Sequence, residues 1–156
     1  SWLYQVKKGA TTVWEHLDGM KPDGSMWSSD MNSFNHYAYG AVGAWLFTQA
    51  AGIRTQEAYP GFSKITVKPL LSRKLPRGCA AVETPYGPVR VSWEHGEDAG
   101  VLQIETPPNT QAQILLEPYI DVQSHDGLEF TAEGGVQRAA AGSGIRTIKY
   151  GINKIQ

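Results

Sequence analysis

The chain has 156 residues, with 14 Lys and Arg set against 15 Asp and Glu, so it carries no electrostatic bias towards nucleic acid or an anionic membrane surface. Its longest apolar runs fall far short of the roughly 20 residues that a bilayer crossing needs. The single cysteine, Cys79, excludes an internal disulfide.

Composition changes along the chain. Eleven of the sixteen aromatic residues fall within residues 1–62, together with all three methionines and two of the four histidines. From about residue 63 onward, short Val/Ile/Thr runs alternate with glycine and proline, which predicts a boundary at Tyr59-Pro60-Gly61. The first part, 1–60, reads as helical. Trp2, Leu3 and Val6 share one helical face, and Gly9 is placed to end that turn in a left-handed cap. Two Asp-Gly turns, at 18–19 and 23–24, make residues 10–32 mostly irregular. Ser33 is a suitable N-cap for a second helix, along which Phe34, Ala38, Ala41 and Trp45 recur at spacings of four, three and four. Gly52 stops it. Some 60 residues with two helices bury too little surface to be comfortably stable alone, so this part is expected to be one side of a larger helical domain. Ser1 in place of an initiator methionine fits a processed or cut chain.

The second part, 61–156, reads as an all-β sandwich. Strands are predicted at 64–68, 80–84, 89–93, 100–106, 111–117 and 145–150, with clear alternation at Val89, Val91 and Trp93 and at Ala112, Ile114 and Leu116. Turn signals separate them, notably Tyr86-Gly87-Pro88 and Pro107-Pro108-Asn109. Alternation sends Trp93 to the buried side with Val89 and Val91. That weighs against a second functional reading, a non-catalytic carbohydrate-binding or structural module, because a lectin-like sandwich needs an exposed aromatic platform.

Most kinds of chemistry find no support in these residues. His16 and His36 lie 20 apart with no Cys pair and no His-x-x-x-His spacing, so no metal site is expected. Neither GxGxxG nor GxxxxGK[ST] occurs, and no cofactor is expected. His95 and His125 fall at predicted turns and read as solvated. Carboxylates remain. Glu15, Asp18, Asp23 and Asp30 share the irregular segment with Trp14, Trp27, His16 and His36, a mixture of flat walls and hydrogen-bonding groups that suits a sugar ring. Turn geometry alone accounts for the two Asp-Gly aspartates.

Two strings carry a resemblance. SWLYQVKKGATTVWEHLDG at 1–19 and MNSFNHYAYGAVGAWLF at 31–47 closely resemble the end of the catalytic domain in bacterial α-L-rhamnosidases, and TPPNTQAQILLEP at 106–118 and GSGIRTIKY at 142–150 resemble their C-terminal domain more loosely. The resemblance implies an α+β chain: the final helices of an (α/α)6 barrel followed by a β-sandwich. It implies that Glu15 is the general base of an inverting hydrolysis of α-L-rhamnosides and that His36 hydrogen-bonds rhamnose. Trp14 would support or wall the pocket. His16 and Leu17 depart from the family pattern, which leaves the acceptor side open. The general acid of the family comes from earlier barrel helices, so the remainder of that barrel is the implied partner. These residues alone are expected not to hydrolyse glycosides.

Overall fold

The computed structural model describes residues 2–153. It divides into two compact units, one ending at Trp45 and the other beginning at Leu46.

The first unit is largely loop. Helix α1 spans Trp2–Lys7 and ends in a Schellman arrangement. The Ala10 N–H donates to the Gln5 carbonyl at 3.0 Å and the Gly9 N–H to that of Val6 at 3.0 Å, with Gly9 at φ 77°. This is the left-handed cap expected at Gly9. The buried residue of α1 is Gln5, whereas Leu3 and Val6 are exposed. A short 3-10 turn at Tyr37–Ala41 leads into helix α2, Val42–Trp45.

Ser33 does not cap a helix. The residue preceding the 3-10 turn is His36, itself extended at φ −115° and ψ 112°, after a bend at residues 34–35. The cause lies in the hydrogen bonds this stretch makes. The Ser33 carbonyl accepts the Glu15 N–H at 2.8 Å, and the His36 N–H donates to the Val13 carbonyl at 2.7 Å. Backbone groups engaged across to another segment are not available for a helical ladder.

The second unit opens with one π-helical turn, Leu46–Ala50, and Gly52 then reverses the chain at φ 71°. Two five-stranded sheets follow. One runs β1 (Ile53–Thr55), β2 (Lys64–Val67), β6 (Gln111–Leu116), β9 (Val136–Ala141) and β8 (Thr131–Glu133) in spatial order. The other runs β3 (Arg77–Thr84), β4 (Gly87–His95), β5 (Gly100–Thr106), β10 (Gly144–Ile152) and β7 (Ile120–Ser124). Pairing is antiparallel except for β2 with β6, which run parallel.

Each sequence-predicted strand is present. Strands β1, β7, β8 and β9 were not anticipated. The core draws alternate residues from both sheets, among them Ile65, Val67, Ile114 and Leu116 from one and Val91, Leu102, Ile104, Ile148 and Tyr150 from the other. Trp93 is buried as alternation required, and its indole N–H donates to the Leu75 carbonyl at 3.0 Å. It lies opposite Gly78, where a β-carbon would sit 2.4 Å from the indole ring. A residue larger than glycine has no room there. His95 is not a solvated turn residue. It closes β4, is buried, and stacks on Tyr150 with ring centroids 5.5 Å apart.

Candidate active site

The first unit assembles its chemistry around a buried amide. Gln5 projects from α1, and its Oε1 accepts the Trp14 N–H at 3.2 Å. That bond ties the segment carrying Glu15 to the helix. Trp14 itself is buried and meets Phe34 edge-on, with centroids 4.9 Å apart and an interplanar angle of 87°. The Thr12 hydroxyl donates to the Phe34 carbonyl. Together with the Glu15–Ser33 and His36–Val13 backbone bonds, these contacts lay residues 12–15 alongside residues 33–36.

Glu15 and His36, 21 positions apart in sequence, therefore sit on neighbouring segments, and both residues are half-buried. The His36 Nδ1 is shielded from solvent and has no hydrogen-bond partner among the described residues. Its imidazole lies parallel to the Tyr37 ring at 6.0 Å. A buried ring nitrogen without a partner is a group that a hydroxyl could satisfy.

A loop excursion follows Glu15 along the chain. The Trp27 N–H donates to the Gly19 carbonyl at 2.9 Å, and the Gly19 N–H to the His16 carbonyl at 3.0 Å. The indole of Trp27 consequently stacks on the His16 imidazole, centroids 3.8 Å apart. The Tyr4 hydroxyl, donating to the Met20 carbonyl at 2.6 Å, and the Lys8 ammonium, donating to that of Pro22 at 3.0 Å, anchor this loop to α1. Asp23 takes no part in such a cluster. Its carboxylate accepts the Ser25 hydroxyl at 2.7 Å and the Ser25 N–H at 2.9 Å, which holds it below the usual carboxylate range. It is a turn residue, as its Asp-Gly context suggested.

The structure thus lays the Glu15 and His36 segments side by side, with Trp14 buried between Gln5 and Phe34. Sequence reasoning missed Gln5. Only its placement among exposed neighbours on α1 reveals a structural role, since the apolar pattern of that helix pointed to Leu3 and Val6. Among the described residues, no group of three or more His, Cys, Asp or Glu side chains converges as a metal site would require.

A loop-rich unit with short helices, a half-buried carboxylate, a shielded imidazole and stacked aromatic rings, followed by a two-sheet sandwich, is consistent with the tail of a six-hairpin glycosidase domain joined to a β-domain. Residues 1–50 match the bacterial alpha-L-rhamnosidase 6 hairpin glycosidase domain, and residues 52–127 match the bacterial alpha-L-rhamnosidase C-terminal domain. The chain belongs to the bacterial α-L-rhamnosidase family. It is 37% identical over 146 residues to an α-L-rhamnosidase of Streptomyces avermitilis, covering 92% of this chain and 14% of that protein. It is 39% identical over 114 residues to one of Formosa agariphila, covering 73% and 12%. The crystal structure of the Streptomyces avermitilis enzyme complexed with L-rhamnose superposes with a TM-score of 0.82 at 34% identity, over 96% of this chain and 14% of that one. The native enzyme of Aspergillus terreus gives 0.75 at 34% identity, over 96% and 15%. The chain therefore spans about one-seventh of the length of these relatives.

Proposed function

We propose that the chain is the C-terminal part of an inverting α-L-rhamnosidase that removes terminal α-L-rhamnosyl residues from glycosides, with Glu15 as general base. The observation that carries this reading is the pair of backbone hydrogen bonds that set the Glu15 and His36 segments side by side, inside the stretch matching the six-hairpin domain. Glu15 takes a proton from a water. The water oxygen attacks the anomeric carbon from the face opposite the leaving group, and the bond to the glycosidic oxygen breaks. An inverting site of this kind places its two carboxyl groups roughly 6.5–9.5 Å apart, so that a water fits between base and anomeric carbon. His36, with its shielded Nδ1, takes a rhamnose hydroxyl. Trp14 backs the pocket through Phe34.

The general acid that protonates the leaving oxygen belongs to earlier helices of the barrel, outside these residues. Leu3, Val6, Tyr37 and Trp45 are exposed, and this reading assigns them as apolar surface for those helices to cover. On this reading the 156 residues alone are expected to leave glycosides intact. In the full-length protein, Glu15→Gln lowers turnover of an aryl α-L-rhamnoside by about 10²–10⁴-fold while the inhibition constant for L-rhamnose is kept. His36→Ala does the converse and weakens rhamnose inhibition. Full turnover in the Glu15 variant would assign the base elsewhere, and rhamnose release by the isolated chain would defeat the division of acid and base.

A further inference from the structure

The outer face of the β1-β2-β6-β9-β8 sheet carries a groove that the rhamnosidase reading does not use. Alternation sends Ile65, Val67, Ile114 and Ala139 to the core and leaves Lys64, Thr66, Gln113, Arg138 and Ala140 on the outside. Register then decides the relief. Thr66 lies opposite Gln113, and Gln113 lies opposite Ala140, so a methyl group occupies the floor between long polar side chains. Gln56, Glu129 and Thr131 raise the walls. The hollow measures about 510 Å³ and continues, past the shared Lys64 and Gln111, into a second of about 620 Å³ bordered by Tyr59 and Asn109. Each is within the ordinary size range of a small-molecule site, about 300–1,000 Å³.

The lining sets the ligand chemistry. Primary amides and hydroxyls each donate and accept, the same double capacity that a sugar hydroxyl offers. Among the described residues, the amides of Gln111 and Gln113 have no side-chain hydrogen-bond partner, and the Gln56 amide reaches only the Thr66 hydroxyl, at 3.4 Å. The two cations are engaged within the protein. The Lys64 ammonium sits 3.9 Å from the centre of the Tyr59 ring, and the Arg138 Nε lies 3.3 Å from a Glu133 oxygen. With Glu129 also present, the groove is no anion trap. It lacks the buried aromatic or aliphatic anchor on which protein partners centre their binding.

The buried Trp93, which counted against an aromatic platform, belongs to the other sheet, and the exposed ring on this side is Tyr59 at the end of the groove. We propose that this groove is a saccharide-binding site of the sandwich that relies on amides and hydroxyls more than on ring stacking, taking a neutral, hydroxyl-rich oligosaccharide along the β2-β6-β9 strands. The groove is lined by residues of the second unit alone, and the proposal does not depend on the role of Glu15. The test is a titration of the 156-residue chain with a neutral rhamnosyl-glucose disaccharide, followed through backbone amide resonances. Shifts gather on β2, β6, β9 and Thr131. Gln113→Ala weakens them at least about tenfold, consistent with loss of a hydrogen-bonding group, and Ala140→Arg, which fills the floor, removes them. Thermal melts of both variants match the parent, and any variant that melts early is set aside in favour of the other. Shifts in both units still support the site if Gln113→Ala removes only the sandwich set. Absence of strand shifts, shifts confined to the Glu15 and His36 segments, unchanged affinity in folded Gln113→Ala, or tighter binding of an anionic galacturonate trimer would each overturn the proposal. None of those outcomes bears on whether Glu15 is the base.

Discussion

Tyr150 lies wholly inside the sandwich, and its hydroxyl finds no hydrogen-bond partner among the described residues. Gly100 makes room for it, since a β-carbon there would stand 2.5 Å from the phenol ring. Burial pushes the Tyr150 pKa up to about 12, from an ordinary value near 10. The folded state therefore holds this proton more tightly than the unfolded chain does. The stability this confers is complete below about pH 10 and is lost as pH rises through about 12, an alkaline decline of roughly 2–3 kcal/mol. Tyr150→Phe removes an unpaired buried hydroxyl and keeps the ring. It is expected to be near neutral at pH 7 and to flatten the alkaline limb. Urea midpoints of the two proteins across that range check the claim, and parallel limbs would assign the decline to other groups. At this scale the candidate site was legible where it lay in recognisable strings. The proposed Glu15 and His36 came from them; the burial of Gln5 beside that segment, and of His95 in the sandwich, did not. A polar residue's burial depends on what folds over it, and no local pattern encodes that.

Between elements, Gly52 decides how the chain enters the sandwich. Its φ of 71° already favours glycine, and an added β-carbon would lie 1.9 Å from the Lys68 carbonyl oxygen. That carbonyl cannot withdraw freely, because the Lys68 N–H donates to the Gly52 carbonyl at 2.9 Å and the Leu70 N–H to that of Ala50 at 2.9 Å. Gly61 offers a control, with a φ of 79° and nothing within 4 Å of an added β-carbon. Gly52→Ala should cost about 2–4 kcal/mol and Gly61→Ala about 1 kcal/mol, the difference reporting the backbone clash alone. Denaturant midpoints measure both, and equal losses would show that the Lys68 strand yields. The same elements explain what the sequence revealed and what it hid. Strands with large alternating apolar residues, such as β4 and β6, were readable. Strand β9, VQRAAA, buries only alanines at its end, and all three residues of β8 are exposed, so neither carries an apolar period. Ser33 misled because its capping preference is a local tendency, overridden by cross-segment hydrogen bonds to Glu15 and from His36 to Val13.

Across the whole molecule the two units differ in what protects them. The described residues of the first unit include only Gln5, Trp14 and Gly19 as buried, while the second holds a continuous core contributed by both sheets. Local opening requires little when few apolar contacts are lost, so the first unit has a low-energy route to exchange that the sandwich lacks. In the 156-residue chain, amides of β4, β5, β6 and β10 should exchange only through global unfolding, and those of α1 and of residues 37–45 at least about 100-fold faster. Similar protection in both units would mean that the first is held by interactions other than its own burial. The comparison gains its force in the full-length protein. If barrel helices cover Leu3, Val6, Tyr37 and Trp45 as the proposed function requires, α1 should there acquire protection approaching that of the strands, while β4 and β5 change little. Protection of α1 that stays low in the longer protein would leave the Glu15 segment uncovered, and a base exposed in that way could not exclude bulk water from the reacting sugar.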